Sequence, residues 1–258
     1  MADRVAINGV RFDLVEQEDL AGRVGLLLDE RRTGSVVHFL PAHPVVLARR
    51  DDAYRRVLNQ AELNLPDGAS VTWALRLARH PATRLTGSDA FDLLCRWGVG
   101  RGIRHFLYGG TPELLETLRA RMDERYPGVR IAGAIAPAFR PLTPEELEAD
   151  AEVIRASDAD LLWIGLGTPR QDLVAESFRT AGCARVILAV GAVFDFASGT
   201  KRRAPAWVQR AGLEWAFRLA QEPRRLARRY VVGNSLFVAD VLRELLTHPT
   251  PAPKSPPR

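Results

Sequence analysis

Between Val36 and Val193 the sequence alternates short apolar runs with helical patterns, and this alternation restricts the folds open to the chain. The apolar runs are continuous and rich in β-branched or aromatic residues, which is typical of strands buried on both faces. Alternation of strands and helices predicts an α/β fold with a mostly parallel sheet. We predict strands at Val36–Leu40, His105–Tyr108, Arg130–Ala134, Leu161–Gly165 and Arg185–Val190.

The helical patterns fall between these strands, so the sheet is expected to be Rossmann-like and flanked by helices. The predicted helices are Val45–Gln60, Gly68–Ala78, Ala90–Gly100, Pro112–Tyr126, Pro144–Ser157 and Pro169–Ala181. Near the N-terminus, Asn8-Gly9 is a favoured tight-turn pair, and it predicts an edge hairpin over Val5–Asp13.

After Gly199 the patterns are helical only, at Pro205–Glu222, Pro223–Val232 and Ser235–Leu246. We therefore expect an α/β catalytic domain over residues 1–199 and a C-terminal basic helical appendage over 200–246 that associates with a membrane. Residues 247–258 are rich in proline, and this composition is typical of a disordered tail.

The positive charge of the chain is concentrated in this appendage. Thr200–Tyr230 holds nine basic residues against Glu214 and Glu222, a net charge of +7, so the rest of the chain carries −2 of the total +5. Local basic surfaces attract phosphates, anionic lipids or nucleic acid. Aromatic residues interleave with the arginines, so the helices either pack on the core or lie in a membrane interface.

Composition and the N-terminus suggest a cytoplasmic protein. The chain has 258 residues and is 47% hydrophobic, and no stretch approaches the roughly 20 apolar residues of a spanning helix. Met1–Val5 lacks the pattern of a signal peptide. Only Cys95 and Cys183 occur, in apolar surroundings, so a disulfide framework is not expected.

Two similar loops are candidate phosphate sites. Tyr108-Gly109-Gly110-Thr111-Pro112 and Gly165-Leu166-Gly167-Thr168-Pro169 each leave a predicted strand and enter a helix. Glycines allow close approach of a ligand, and free N–H groups at a helix start attract phosphate oxygens. Ordinary turn and capping chemistry explains the same residues.

Three further positions could carry chemistry. Asp67 precedes a helical pattern, where it is either a cap or a general base. Arg84 lies before Ser88 and Asp89, two possible helix caps, and could neutralise a diphosphate. Arg170 opposes the dipole at the start of its helix, and an anionic ligand there would resolve the conflict.

The sequence predicts neither a metal nor another cofactor. Asp158-Ala159-Asp160 has the spacing of a metal-binding pair, but it precedes its strand and so lies at the edge of the sheet away from the expected ligand face. The five histidines form no ligand-spaced pair. Cationic side chains and helix termini would then have to stabilise a leaving diphosphate.

Taken together, these motifs resemble the WecG/TagA/CpsF glycosyltransferase family over about residues 5–240. The matching segments are Leu65-Pro66-Asp67-Gly68, Arg84–Asp89, Tyr108-Gly109-Gly110, Gly165–Asp172, Val190–Phe196, Arg203–Trp215 and Gln221–Tyr230.

The resemblance implies an inverting, metal-independent hexosyltransferase that moves a sugar from a UDP-sugar to an undecaprenyl-diphosphate-linked sugar in cell-surface polysaccharide synthesis. The transferred sugar would be N-acetylmannosamine-like or glucose-like. The enzyme would work at the inner face of the cell membrane, with an anionic membrane surface as partner. The sequence does not decide whether the protein forms a homo-oligomer, and a nucleic-acid partner is not expected.

The resemblance also assigns roles to individual residues. Asp67 matches the proposed base, and Arg218, Arg225 and Arg228 match arginines that complete the active site. The expected substrate-binding residues are Arg84, Tyr108, Gly109, Gly110, Gly167, Gln171 and Gly191.

One segment departs from the family pattern. Where the family has Thr-X-Asn after the first core strand, this chain has Phe39 and Pro41. The donor sugar is therefore left open, as is a catalytically degenerate peripheral membrane module. A Rossmann-type NAD oxidoreductase is the other alternative, but a Gly-X-Gly-X-X-Gly motif after a strand is missing.

Overall fold

A computed structural model describes residues 4–30, 33–227 and 233–247 of the chain. Its centre is a parallel sheet of six strands, in the order β4-β3-β8-β7-β5-β6. The strands are β3 (Ser35–Leu40), β4 (Leu63–Pro66), β5 (Arg104–Gly109), β6 (Arg130–Ile135), β7 (Leu161–Gly165) and β8 (Val186–Ala189). The predicted α/β class with a parallel sheet flanked by helices is confirmed.

Helices cover both faces of this sheet. They are α1 (Leu20–Asp29), α2 (Ala42–Arg50), α3 (Asp52–Gln60), α4 (Ala69–Leu77), α5 (Gly87–Val99), α6 (Pro112–Arg125), α7 (Pro144–Ala156), α8 (Arg170–Ala181) and α9 (Val193–Ala197). Alternate residues of a strand face opposite layers, so Leu161 and Trp163 of β7 pack in one core cluster and Leu162 and Ile164 in another.

Three details of the first half differ from the sequence prediction, the first being that helix α1 was not expected. The helix predicted over Val45–Gln60 is two helices, because Asp51 is extended and its carboxylate accepts hydrogen bonds from the amides of Ala53 and Tyr54. That cap starts a new helix. The strand β4 was not predicted, since its four residues include Asn64 and Pro66.

The N-terminal hairpin forms as predicted around Asn8-Gly9, with β1 (Arg4–Ile7) and β2 (Val10–Asp13). It is a separate two-stranded sheet and not an edge of the main one. The carboxylate of Asp13 accepts a hydrogen bond of 2.8 Å from the amide of Asn64, which ties the hairpin to β4.

Beyond Gly199 the described elements are all helical: α10 (Ala206–Arg210), α11 (Glu214–Gln221), α12 (Pro223–Ala227) and α13 (Gly233–Thr247). The helix predicted over Pro205–Glu222 is broken at Gly212, whose φ of 71° ends α10. The predicted segment Pro223–Val232 is described only to Ala227, and the proline-rich tail from residue 248 lies outside the described residues.

The last helix contributes to the core of the α/β domain. Phe237 and Val241 of α13 are fully buried in one cluster with residues of the hairpin, α2 and α4. Arg49 of α2 also forms an ion pair with Asp240. Thus α13 is held by the domain, and its Asn234 reaches a cavity that α11 and the segment before it also line.

Candidate active site

A cavity of about 460 Å³ opens at the carboxyl ends of β3, β4 and β8. This is where open parallel sheets bind their ligands. The loops after these strands, together with α4, form one wall, and α11 with the segment that joins it to α10 forms the opposite wall. Its charged lining side chains, within the described residues, are Asp67, Arg84, Glu214 and Arg218, and its aromatic ones are Trp73, Phe196 and Trp215, with His43 beside them.

Asp67 lies at the floor of this cavity, directly after β4. Its amide donates to the carbonyl of Leu40 at 3.1 Å, which fixes the residue beside the end of β3. Gly68 then takes a φ of 114°, a value that favours glycine, and α4 begins at the next residue. Desolvation by the surrounding protein raises the pKa of Asp67 to about 6, although Arg84, Arg218 and the Gly87 amide oppose the shift.

Arg84 reaches the same cavity from the segment between α4 and α5. The backbone beside it is pinned to β4 by a hydrogen bond of 3.0 Å from the Leu85 amide to the Pro66 carbonyl. Its guanidinium donates to the carbonyl of Gln209 at 3.2 Å and forms an ion pair with Glu214. In this structure Arg84 therefore joins the α/β domain to the appendage.

Arg218 is the third charged group predicted for the site and found there. It extends from α11, and its guanidinium carbon lies 5.4 Å from the centroid of the Phe196 ring, within the range of a cation–π contact. The side chain of Arg225 and the whole of Arg228 lie outside the described residues. The structure thus brings together Asp67, Arg84 and Arg218, which come from three separate parts of the sequence.

Two charged residues of the appendage were not assigned a role from the sequence. Arg203 donates to Asp89 at 2.8 Å and to the hydroxyl of Thr86 at 3.2 Å, and its Nε lies 3.9 Å from a carboxylate oxygen of Glu214. Lys201 similarly bridges Asp195 and Glu222. The only sequence signal for these ion pairs was the charge distribution, because Thr200–Tyr230 carries +7 and the rest of the chain carries −2.

The predicted glycines lie at the carboxyl ends of β5, β7 and β8, outside the lining of the cavity. At Gly109, whose φ is 133°, an added Cβ would lie 2.6 Å from the Gly165 carbonyl oxygen, so the paired strand ends need a residue without a side chain. Gly167 has a φ of 77° with open space around it. Gly110 and Gly191 also have positive φ.

Gln171 is buried beneath these glycine loops. Its side-chain oxygen accepts from the Gly167 amide at 3.0 Å, and its nitrogen donates to the Ala189 carbonyl at 3.4 Å. The next residue, Asp172, accepts a 2.6 Å hydrogen bond from the hydroxyl of Tyr54. The start of α8 is therefore anchored, and Gln171 connects the loop after β7 to the end of β8.

Tyr108 is not brought to the cavity. Its ring packs edge-on against Phe178 at 5.0 Å, and its hydroxyl donates to Asp150 at 2.7 Å. Burial, with Asp150 in support, raises the pKa of Tyr108 well above its usual range. Alternation along β5 turns this side chain toward the layer formed by α7 and α8.

The Asp-X-Asp pair lies at the opposite edge of the sheet, as predicted. Asp158 pairs with Arg104 just before β7, and Asp160 accepts from the Arg104 amide at 2.9 Å. In the ranges that the structure describes, histidines, cysteines and carboxylates form no cluster of three suited to a metal ion. Cys95 and Cys183 are buried, free thiols.

The two residues that depart from the family pattern, at the end of β3 and just after it, lie in different surroundings. Phe39 is buried in the hydrophobic core, on the face of β3 that packs against α1 and α5. Pro41 lines the cavity, and a Cβ placed on Gly68 would lie 3.6 Å from its own Cβ. An apolar ring therefore stands at the wall beside Asp67.

Comparison with protein families finds one match that spans nearly the whole chain. Residues 5–251 match the family described as Glycosyl transferase WecG/TagA/CpsF. The matched range includes the floor of the cavity, its appendage wall and the glycine loops. Among the described helices, none is both long enough and apolar enough to cross a membrane.

Proposed function

Because the chain belongs to the WecG/TagA/CpsF glycosyltransferase family, we propose that it is an inverting, metal-independent enzyme that uses a UDP-sugar. The family makes it a glycosyltransferase of cell-surface polysaccharide synthesis, with a sugar donor and an acceptor substrate. The proposal adds the donor, which carries an N-acetylmannosamine-like or glucose-like sugar, and the acceptor, an undecaprenyl-diphosphate-linked sugar.

The proposed reaction is a single displacement at the anomeric carbon of the donor sugar. Asp67 takes the proton of an acceptor hydroxyl as its oxygen bonds to that carbon, and the bond from carbon to the diphosphate oxygen breaks with both electrons. The products are the glycosylated acceptor with inverted configuration, UDP and protonated Asp67. Support comes from the position of Asp67 at the cavity floor and from its pKa of about 6.

The leaving diphosphate would be stabilised by arginines. Arg84 and Arg218 line the same cavity as Asp67, and fixed cations are most effective where charge develops in a site shielded from water. By the resemblance, Arg225 and Arg228 add to them. The distance of the Asp-X-Asp pair from this cavity supports a mechanism without a bound metal, so transfer should survive EDTA and not depend on added Mg²⁺ or Mn²⁺.

The nucleotide part of the donor would extend from the cavity toward the glycine loops. Gly110 and Gly191 would offer backbone amides there, Gly109 and Gly167 would leave room for the ligand, and Gln171 holds the Gly167 loop against the end of β8. Tyr108 would support this edge from the core and not by contact with the donor.

The appendage would bring the enzyme to the acceptor. Trp207 is 65% exposed, and Trp73 and Trp215 are 48% and 43% exposed around the cavity. Aromatic and basic groups together suit the surface of an anionic membrane. We propose a peripheral location on the inner face of the cell membrane, with the part of the appendage before α13 as the membrane contact, because α13 packs in the core of the α/β domain.

The observation that carries the proposal is the meeting of Asp67, Arg84 and Arg218 in one cavity. The test is incubation of the protein with a panel of UDP-sugars and a synthetic polyprenyl-diphosphate-linked acceptor, followed by detection of UDP and the extended lipid. We expect transfer from at least one donor of the panel. Binding to membranes without transfer from any donor would favour the degenerate module, the alternative that Phe39 and Pro41 keep open.

A further inference from the structure

The two arms of the Arg84 guanidinium are both engaged by the appendage. One arm donates to the backbone carbonyl of Gln209, and the other forms an ion pair with Glu214 at the start of α11. Both side chains of this pair are largely buried, at 19% and 18% exposure. A carboxylate and a diphosphate use the same guanidinium donors, so they compete for one arginine.

Glu214 keeps a second cationic partner within reach. The Nε of Arg203 lies 3.9 Å from the other carboxylate oxygen of Glu214. Arg203 is itself anchored to the α/β domain through Asp89 and Thr86. Glu214 can therefore leave Arg84 without becoming an unpaired buried charge, which would be costly.

The charge of the cavity also favours competition. Its described lining has two cations, Arg84 and Arg218, and two carboxylates, Asp67 and Glu214. With both carboxylates ionised the formal charges cancel, so an incoming diphosphate gains little attraction. Withdrawal of Glu214 leaves the cavity positive, which favours an anion.

We propose that Glu214 is an internal competitor for the donor's diphosphate, so that donor binding breaks the Arg84–Glu214 pair and loosens α11 from the α/β domain. The inference rests on the proposed function and adds a step to it. Loosening of α11 widens the cavity at the wall that Trp215 and Arg218 form, so the acceptor enters after the donor. Arg218 then stabilises the leaving diphosphate once α11 has returned to the cavity.

The test is calorimetric binding of UDP to four proteins: wild type, Glu214→Gln, Arg84→Gln and the double variant. Removal of the competing charge should tighten UDP binding to Glu214→Gln by about three- to tenfold, the range expected when one ion pair no longer has to be broken. In the Arg84→Gln background the same substitution should give a clearly smaller gain, because it then relieves only the repulsion between Glu214 and the diphosphate. Glu222→Gln is the matched control, because Glu222 lies in the same appendage but pairs with Lys201, and its UDP affinity should equal that of wild type.

Hydrogen exchange gives a second measurement, which uses only the wild-type protein and so does not depend on the folding of a variant. Saturating UDP should speed exchange of the α11 amides, such as that of Phe217, which bonds to the Leu213 carbonyl at 3.1 Å. Equal UDP affinity of wild type and Glu214→Gln, or slower α11 exchange with UDP, would overturn the competition while leaving the proposed function in place. A wild-type protein that binds no UDP would overturn both.

Discussion

At the scale of single residues, the state of the Asp67 carboxyl group is set by opposing influences. Burial raises its pKa to about 6, while Arg84 and Arg218 favour the ionised form and Glu214 disfavours it. A base is most useful when its pKa lies near the working pH. At neutral pH Asp67 is therefore mostly ionised, yet it is more basic than an ordinary aspartate.

A pH profile of transfer should show this pKa. Below about pH 6 Asp67 holds a proton and cannot accept another, so kcat/KM should fall about tenfold per pH unit on the acid side. Arg218→Gln removes a positive charge that lowers the pKa of Asp67, so its acid limb should move to higher pH. Steady-state kinetics from pH 4.5 to 8 would measure the shift.

Arg202→Gln is the control for this experiment. Arg202 is exposed and is not part of the cavity lining, so its limb should coincide with that of wild type. An acid limb that stays fixed in Arg218→Gln would contradict the assignment of the limb to Asp67.

The free energy of unfolding should change with pH in the opposite direction to activity. The folded state binds the proton of Asp67 more tightly than the unfolded chain does, so ionisation of Asp67 lowers stability as the pH rises from about 4 to 6.

The sequence predicted these site residues unevenly, for a physical reason. Asp67, Arg84 and Arg218 stand in recognisable motifs, and the cavity contains all three. Tyr108 stands in a motif too, but alternation along β5 points its side chain into the core. The pairing of Glu214 with Arg84 joins residues 130 positions apart, and local sequence patterns cannot show such a contact.

At the scale of secondary structure, apolar runs predicted most of the central strands, whereas helix α1 and the strand β4 were not predicted. The strands β3, β5, β6, β7 and β8 were expected close to their observed bounds, because each contains a run of apolar residues, which is buried in all of them except the edge strand β6. The four residues of β4 include Asn64, whose polar side chain hides the pattern. The side-chain nitrogen of Asn64 nevertheless donates hydrogen bonds to the carbonyls of Arg11 and Leu58, both at 2.8 Å.

The burial of α13 predicts a large loss of stability for one substitution. Phe237→Ala should lower the free energy of unfolding by about 3–5 kcal/mol, the usual cost of removing a buried phenylalanine side chain. Chemical denaturation would measure it. Leu246→Ala is the matched control, since Leu246 on the same helix is 84% exposed and should change stability by less than about 0.5 kcal/mol.

Equal stability of the two variants would show that α13 does not belong to the core. Removal of everything after Gly199 also removes Phe237 and Val241 from their cluster. Such a truncation would therefore test folding together with the function of the appendage, and point substitutions in α10 and α11 separate the two.

At the scale of the whole molecule, some basic residues of the appendage form ion pairs with the α/β domain and others are exposed to solvent. Lys201 and Arg203 pair with carboxylates of the α/β domain, whereas Arg202, Arg210 and Arg224 are exposed. Exposed basic groups near an anionic membrane contribute about 1 kcal/mol each. Replacement of these three arginines by glutamine should weaken binding to phosphatidylserine vesicles on the order of a hundredfold, as measured by sedimentation.

The control removes the same charge elsewhere. Arg119, Arg121 and Arg130 are exposed on α6 and β6, and their replacement by glutamine lowers the net charge equally. If both triple variants lose vesicle binding to the same degree, overall charge and not the appendage determines membrane association. Retention of full binding by the appendage variant would contradict its role as a membrane contact.

The central claim is that Asp67 is the base of a sugar transfer, and the direct measurement is turnover of Asp67→Asn beside wild type. Each protein is assayed with the UDP-sugar that wild type uses and with a lipid-diphosphate acceptor, and UDP binding is measured in parallel. We predict a loss of kcat of about 10²–10⁴-fold, while the fold is kept and UDP still binds. Near wild-type turnover in Asp67→Asn would contradict the claim.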